Sequence, residues 1–160
     1  MSLTLARIRA RVRDSIETLA AGVPSGFAPD QFGRDSRSLA HRAFAVALSS
    51  TDASEDDRQT GRGRPRSAYA GTLLVVRTAY LLRTDGIDGD YNAALDAEQE
   101  VAAAVLRSAE RPAEADALEP MFHVRFRRTS SRETVEGYLV VTSEFLVGHQ
   151  YDLTLASERT

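Results

Sequence analysis

Cysteine is absent from this 160-residue chain, so neither a disulfide nor a thiolate metal site can be built from it. Lysine is absent as well, and all 20 basic residues are arginine. A Schiff-base lysine and a phosphate-loop lysine are therefore excluded. With so much alanine alongside, the arginine usage fits the codon bias of a GC-rich genome. No apolar run approaches the ~20 residues that a membrane-spanning helix needs. The N-terminus carries Arg7, Arg9, Arg11 and Arg13 where a signal peptide would place its apolar segment, and no membrane association is expected. An excess of one charge sign is also missing: 23 acidic residues oppose 20 basic ones, which removes any global pull toward nucleic acid or anionic lipid. The length suits one domain spanning residues 1–160, large enough to bury a core.

The signatures of common enzymes are missing too. The three histidines, His41, His123 and His149, have no ligand spacing, and the chain holds no H-E-x-x-H, G-x-S-x-G or G-x-G-x-x-G. His149-Gln-Tyr-Asp152 offers a small polar cluster without a nucleophile partner. Asp88, Asp90 and Asn92 fit the first three ligand positions of a calcium loop. That pattern then fails, with Ala93 where the sharp turn needs glycine and Gln99 where a bidentate glutamate is needed. A non-enzymatic protein without metal or cofactor is expected.

What is present is an order of patterned segments, α-β-β-α-β-β, which predicts an α+β fold with an antiparallel or mixed sheet and two principal helices. Leu5, Ile8, Val12, Ile16 and Leu19 fall within roughly an 80° arc at about 100° per residue, giving a helix over 4–20 that Gly22 and Pro24 end. Phe44, Val46 and Leu48 alternate as a strand. Residues 49–67 have no apolar pattern, and predict a long mobile loop between the first two strands. The next strand, Leu73 to Leu82, is apolar on both faces. A half-wetted antiparallel strand would alternate more clearly, so either helices and loops cover both faces or a neighbouring subunit covers one. After the turn run Asp85-Gly-Ile-Asp-Gly-Asp90 comes a helix over 90–109, with Tyr91, Ala94, Leu95, Val101, Ala102, Val105 and Leu106 as its buried arc. Met121–Arg128 and Val135–Val147 read as a hairpin turning at Ser130-Ser-Arg-Glu133, and a further strand is expected near Gln150 to Leu155.

Three groups of charged residues are candidate sites. Glu98 falls within the apolar arc of its helix and needs a partner; Arg77 is the intrachain candidate, an arginine of an adjacent subunit the alternative. Arg125, Arg127 and Arg128 give the third strand a basic face that suits phosphate, an acidic partner or simply solvent. In the long loop, Asp52, Glu55, Asp56 and Asp57 precede Arg58, Arg62, Arg64 and Arg66. Arg62-Gly-Arg-Pro65 resembles the core of an AT-hook, in which an extended Arg-Gly-Arg-Pro enters the narrow minor groove of A·T-rich DNA. The acidic run just upstream opposes phosphate, so a solvated loop or a partner contact competes with DNA binding.

The element order, the opening Leu5-Ala-Arg-Ile-Arg-Ala-Arg-Val12 and the final strand Tyr138-Leu-Val-Val-Thr-Ser-Glu-Phe-Leu-Val147 together resemble the tail terminator (tail completion) family of long-tailed bacteriophages. The resemblance runs from Leu3 to Leu155 and includes no catalytic motif. It implies a virion structural protein that forms a homo-oligomeric ring, conventionally a hexamer. Such a ring caps the tail tube protein, stops polymerisation and presents a docking face to the head–tail connector. DNA would pass through the pore without specific binding, and the protein would reside in the neck of the virion, with the host cytoplasm as its site of assembly. Arg58, Arg62, Arg64 and Arg66 would then be ring or tube contacts, and Arg77 with Glu98 a buried or inter-subunit ion pair. Another neck or head-completion ring protein, and a dimeric α+β module binding a small ligand or nucleic acid, are the alternatives.

Overall fold

The computed structural model describes residues 3–19, 39, 41–53, 67–83, 87–110 and 121–152. Its elements are α1 (Leu5–Leu19), β1 (Ala43–Ala53), β2 (Ser67–Leu81), α2 (Ile87–Arg107), β3 (His123–Val135) and β4 (Tyr138–Asp152). The four strands form one antiparallel sheet in the order β1-β2-β4-β3, and with two helices the fold is α+β.

Thr4 starts α1: its hydroxyl accepts from the Arg7 amide at 3.3 Å and its carbonyl from the Ile8 amide at 3.0 Å. The apolar stripe then goes where its spacing points it, and Ile8, Val12 and Ile16 are fully buried. They pack with Val101, Ala104 and Val105 of α2 onto Phe44, Val46, Leu74, Val76, Phe145 and Val147 of the sheet. Both helices therefore lie on one face, here the inner face. Burial of each such side chain stabilises by roughly 1.5–3 kcal/mol. The Ser15 hydroxyl, 2.7 Å from the Ala104 carbonyl, fixes α1 beside α2.

α2 is rotated about its axis relative to the arc expected from sequence. Ala94, Val101, Ala104, Val105 and Ser108 are buried, whereas Tyr91 and Leu106 are each 40% exposed. The small Ala104 faces α1, where its carbonyl accepts from the Ser15 hydroxyl. Asp88, Asp90 and Asn92 sit in the first turns of this helix, not in a loop able to wrap a calcium ion. Instead, the Asp90 carboxylate accepts from the Arg83 amide at 2.7 Å.

Three sequence boundaries need correction. β1 does not stop at Leu48: the pairing skips one residue and resumes as Ser50↔Leu73, Thr51↔Thr72 and Asp52↔Gly71, with the two threonine hydroxyls 2.8 Å apart. Strand thus claims residues 49–53 and 67 of the expected loop, and residues 54–66 lie outside the described set. The hairpin turn is not at Ser130–Glu133, which lies within β3, but at Glu136-Gly137. Both residues have positive φ, 49° and 82°, as a two-residue type I′ turn requires. Finally, Gln150 to Asp152 continue β4 and do not begin another strand.

Candidate functional site

Residues paired across an antiparallel ladder share a face, so the register assigns every strand side chain. The outer face, opposite the helices, carries Leu73, Val75, Arg77 and Ala79 of β2 and Val140, Thr142, Glu144 and Leu146 of β4. Among the described residues no helix lies over it, yet Ala79 and Val140 are buried and Leu73, Val75 and Leu146 are half-buried. A central strand apolar on both faces is thus only half accounted for by its own helices.

Charge on this face is held by side-chain pairs. Glu144 receives Arg128 at 2.8 Å from Nε and 3.3 Å from Nη2, and the Arg127 Nη1 stands 3.8 Å away. The hydrogen bond from Arg128 holds the Glu144 carboxyl below its ordinary value, and the same bond raises the guanidinium. The Arg77 Nε points to the Thr142 hydroxyl at 3.3 Å.

That placement corrects the expected Arg77–Glu98 pair. Glu98 lies on α2, over the inner face, and the sheet stands between it and Arg77. Its partner is Arg132 of β3, which binds in a fork with Nε–Oε2 and Nη2–Oε1 both at 2.8 Å. The Thr129 hydroxyl donates to the same carboxylate at 2.7 Å. The Glu98 side chain is only 10% exposed, so the fork supplies the partner that a shielded carboxylate needs. Sequence did not point to Arg132 because the polar run Ser130–Glu133 reads as a turn; as strand, Arg132 stands six residues beyond Phe126 and shares its inner face, the two irregularities between them cancelling.

The inner face holds one further polar chain that sequence did not place. Thr51, the fully buried Thr72 and the nearly buried His149 are linked by contacts of 2.8 Å, Thr72 Oγ1 to His149 Nε2 being the second. A hydroxyl at this distance from an imidazole has nucleophile–base geometry. Both groups are sealed inside, however, and a substrate could reach the oxygen only if the sheet opened. Burial pushes His149 below its ordinary value. At the other end of the sheet the His41 Nδ1 accepts from the Leu81 amide at 3.1 Å, and its ring meets Tyr80 edge-on at 4.6 Å. Burial, followed by the charges of Arg42 and Arg83, lowers His41 as well.

The two outer strands differ in how their edges are treated. On β1 the Val46 carbonyl is taken by the Arg9 Nε of α1 at 2.7 Å. Arg11 is used differently: it reaches the Glu110 carbonyl at 3.2 Å and lies 5.1 Å from the Phe122 ring centre. The large exposed apolar side chains of the described residues are Phe126 of β3, at 47%, and Tyr91 and Leu106 of α2. Tyr91 and Leu106 stand about 22 Å apart along α2 at 1.5 Å per residue. The loop arginines Arg58, Arg62, Arg64 and Arg66, with the AT-hook-like Arg62–Pro65, lie outside the described residues. No family model matches the chain, and no curated protein sequence matches it.

Proposed function

We propose that this chain is a non-enzymatic structural protein of a phage virion, of the tail terminator kind: a homo-oligomeric ring, hexameric in that family, that caps the tail tube and offers a docking face to the head–tail connector. The observation that carries the reading is the sheet with both helices on one face and half-buried Leu73, Val75 and Leu146 on the other. Such a face is matched to protein contact. The described polar groups support it further, since Glu98, Glu144, Arg128 and Arg132 are engaged in ion pairs that hold elements together. The mechanism is one of surfaces. Capping the last ring of tube protein removes the site where the next would add, while head-to-tail subunit contacts close the terminator itself. A chain whose charges nearly balance suits a pore through which DNA slides without being held. The protein would act in the host cytoplasm during assembly and remain in the virion neck.

Purified tail tubes assembled with and without the protein test the reading. Tubes of defined length bearing one terminal ring, seen by electron microscopy, are the expected result. Unchanged tube growth at saturating protein would overturn it.

A further inference from the structure

The register aligns the two edges of the sheet row by row, and their unused charges are opposite. Asp52 of β1, Gly71, Gly148 and His123 of β3 form one row, and Arg125 sits two residues further along the same edge. At the other end Ala43, Ala79, Val140 and Glu133 form a row, with Arg42 just beyond on the β1 side and Glu136 just beyond on the β3 side. Thus the β1 edge reads positive at Arg42 and negative at Asp52, and the β3 edge reads negative at Glu133 and Glu136 and positive at Arg125, with His123 beside it. All six of these side chains are exposed. None is engaged in a hydrogen bond or ion pair with another described residue.

We infer that the β3 edge of one copy docks against the β1 edge of the next, head to tail and row in register, with Arg125 reaching Asp52 diagonally from two residues along and Glu133 reaching Arg42 just beyond its own row. The inference rests on the ring reading and specifies its subunit contact. Translating a copy sideways along the sheet places its β1 antiparallel to the first copy's β3, because β1 and β3 run in opposite directions. The apolar residues agree with the same register: Phe126 shares its row with Phe145, Leu74 and Leu48, so the exposed ring meets the neighbour's half-buried Leu48. Arg127 and Arg128 share the single carboxylate of Glu144, and Arg128 falls in the row of Ala47 of β1, so no like charge of β1 opposes them mid-edge. Arg9 already occupies the Val46 carbonyl, and the contact is therefore one of side chains, not a full backbone ladder. A two-fold arrangement of β3 on β3 would use one edge and leave the other unused; the head-to-tail arrangement uses both.

Two charge reversals test this. Asp52→Arg gives a chain positive at both docking positions, and Arg125→Asp a chain negative at both. Each alone must oppose like charges at every contact, raising the concentration for half-assembly about tenfold or more at low salt. Mixed in equal amounts they alternate, and every contact is complementary again. Sedimentation velocity of wild type, each variant and the mixture, with circular dichroism to show that both variants fold, reads the outcome. Wild-type assembly, loss in each variant and recovery only in the mixture are expected. Variants that assemble like wild type, a mixture that does not recover, or a wild type that stays monomeric at all concentrations would overturn the contact. Assembly through this contact without capping of tail tubes would leave it standing and overturn the terminator reading instead.

Discussion

His149 sets the pH behaviour of the fold most directly. It is 1% exposed, and its Nε2 is joined to the Thr72 hydroxyl. Burial lowers its proton affinity in the folded state, so the unfolded chain, titrating near 6.5, takes up protons first. Stability is accordingly full above that value and is lost as the pH falls through the lower folded one; His41 adds to the slope with the same sign. Urea unfolding between pH 8 and pH 5 should show this decline, and His149→Gln should flatten it without abolishing it. Equal slopes in the two proteins would show that His149 is not the titrating group. A carboxylate gives the second residue-scale prediction. Removing the Glu98 side chain leaves the Thr129 hydroxyl and the half-exposed Arg132 without their acceptor. Solvent screens the arginine, so a Glu98→Ala, Arg132→Met double-mutant cycle should give a coupling of about 0.5–1 kcal/mol.

At the scale of the element, the hairpin between β3 and β4 is the most exposed to substitution. Glu136 adopts a positive φ without the asparagine or glycine that a type I′ turn prefers, so Glu136→Asn should stabilise by about 0.5 kcal/mol. Gly137→Ala should destabilise by about 1 kcal/mol; a Cβ there meets nothing, so backbone strain is the whole cause. Thermal unfolding of the two variants checks both signs. The same turn explains what sequence could and could not yield. The helices were legible because Ile8, Val12 and Ile16 repeat at helical spacing with little competing signal. The α+β class was legible in the period-two runs around Val46, Phe145 and Phe126, which left an antiparallel and a mixed sheet both open. The turn was not, because a glutamate hides its first position and the polar Ser130–Glu133 run imitates a loop. Two register shifts in β3 also break alternation just ahead of that run and at its start. Arg132 was hidden as a partner for Glu98 because it lies in that same polar run, and the Thr51–Thr72–His149 chain joins three strand segments that no local pattern connects.

For the whole molecule, the distribution of charge matters more than its total. Formal charge is only −3 at pH 7, but acidic and basic residues are segregated, and Asp52, next to the last residue of β1, precedes the run that holds Arg58, Arg62, Arg64 and Arg66. A ring around a DNA channel cannot keep a strong free cationic element in its pore without holding the genome it must release. On the proposed ring reading, Arg58, Arg62, Arg64 and Arg66 are therefore expected to bind acidic groups on a neighbouring subunit or on the tube. Replacing all four with serine should leave the unfolding free energy within about 0.5 kcal/mol of wild type, since no residue of the hydrophobic clusters changes. The same change should weaken assembly on purified tail tubes, and the difference from wild type should shrink as salt rises, because exposed pairs are screened beyond about 8 Å at physiological ionic strength. Assembly on tubes measured across a salt series, beside DNA binding at physiological salt, separates the possibilities. Normal capping by the quadruple variant would remove the loop from the mechanism. A·T-selective DNA binding that disappears with the four arginines would establish an AT-hook, and a protein that grips the minor groove is poorly suited to a passage through which DNA must slide.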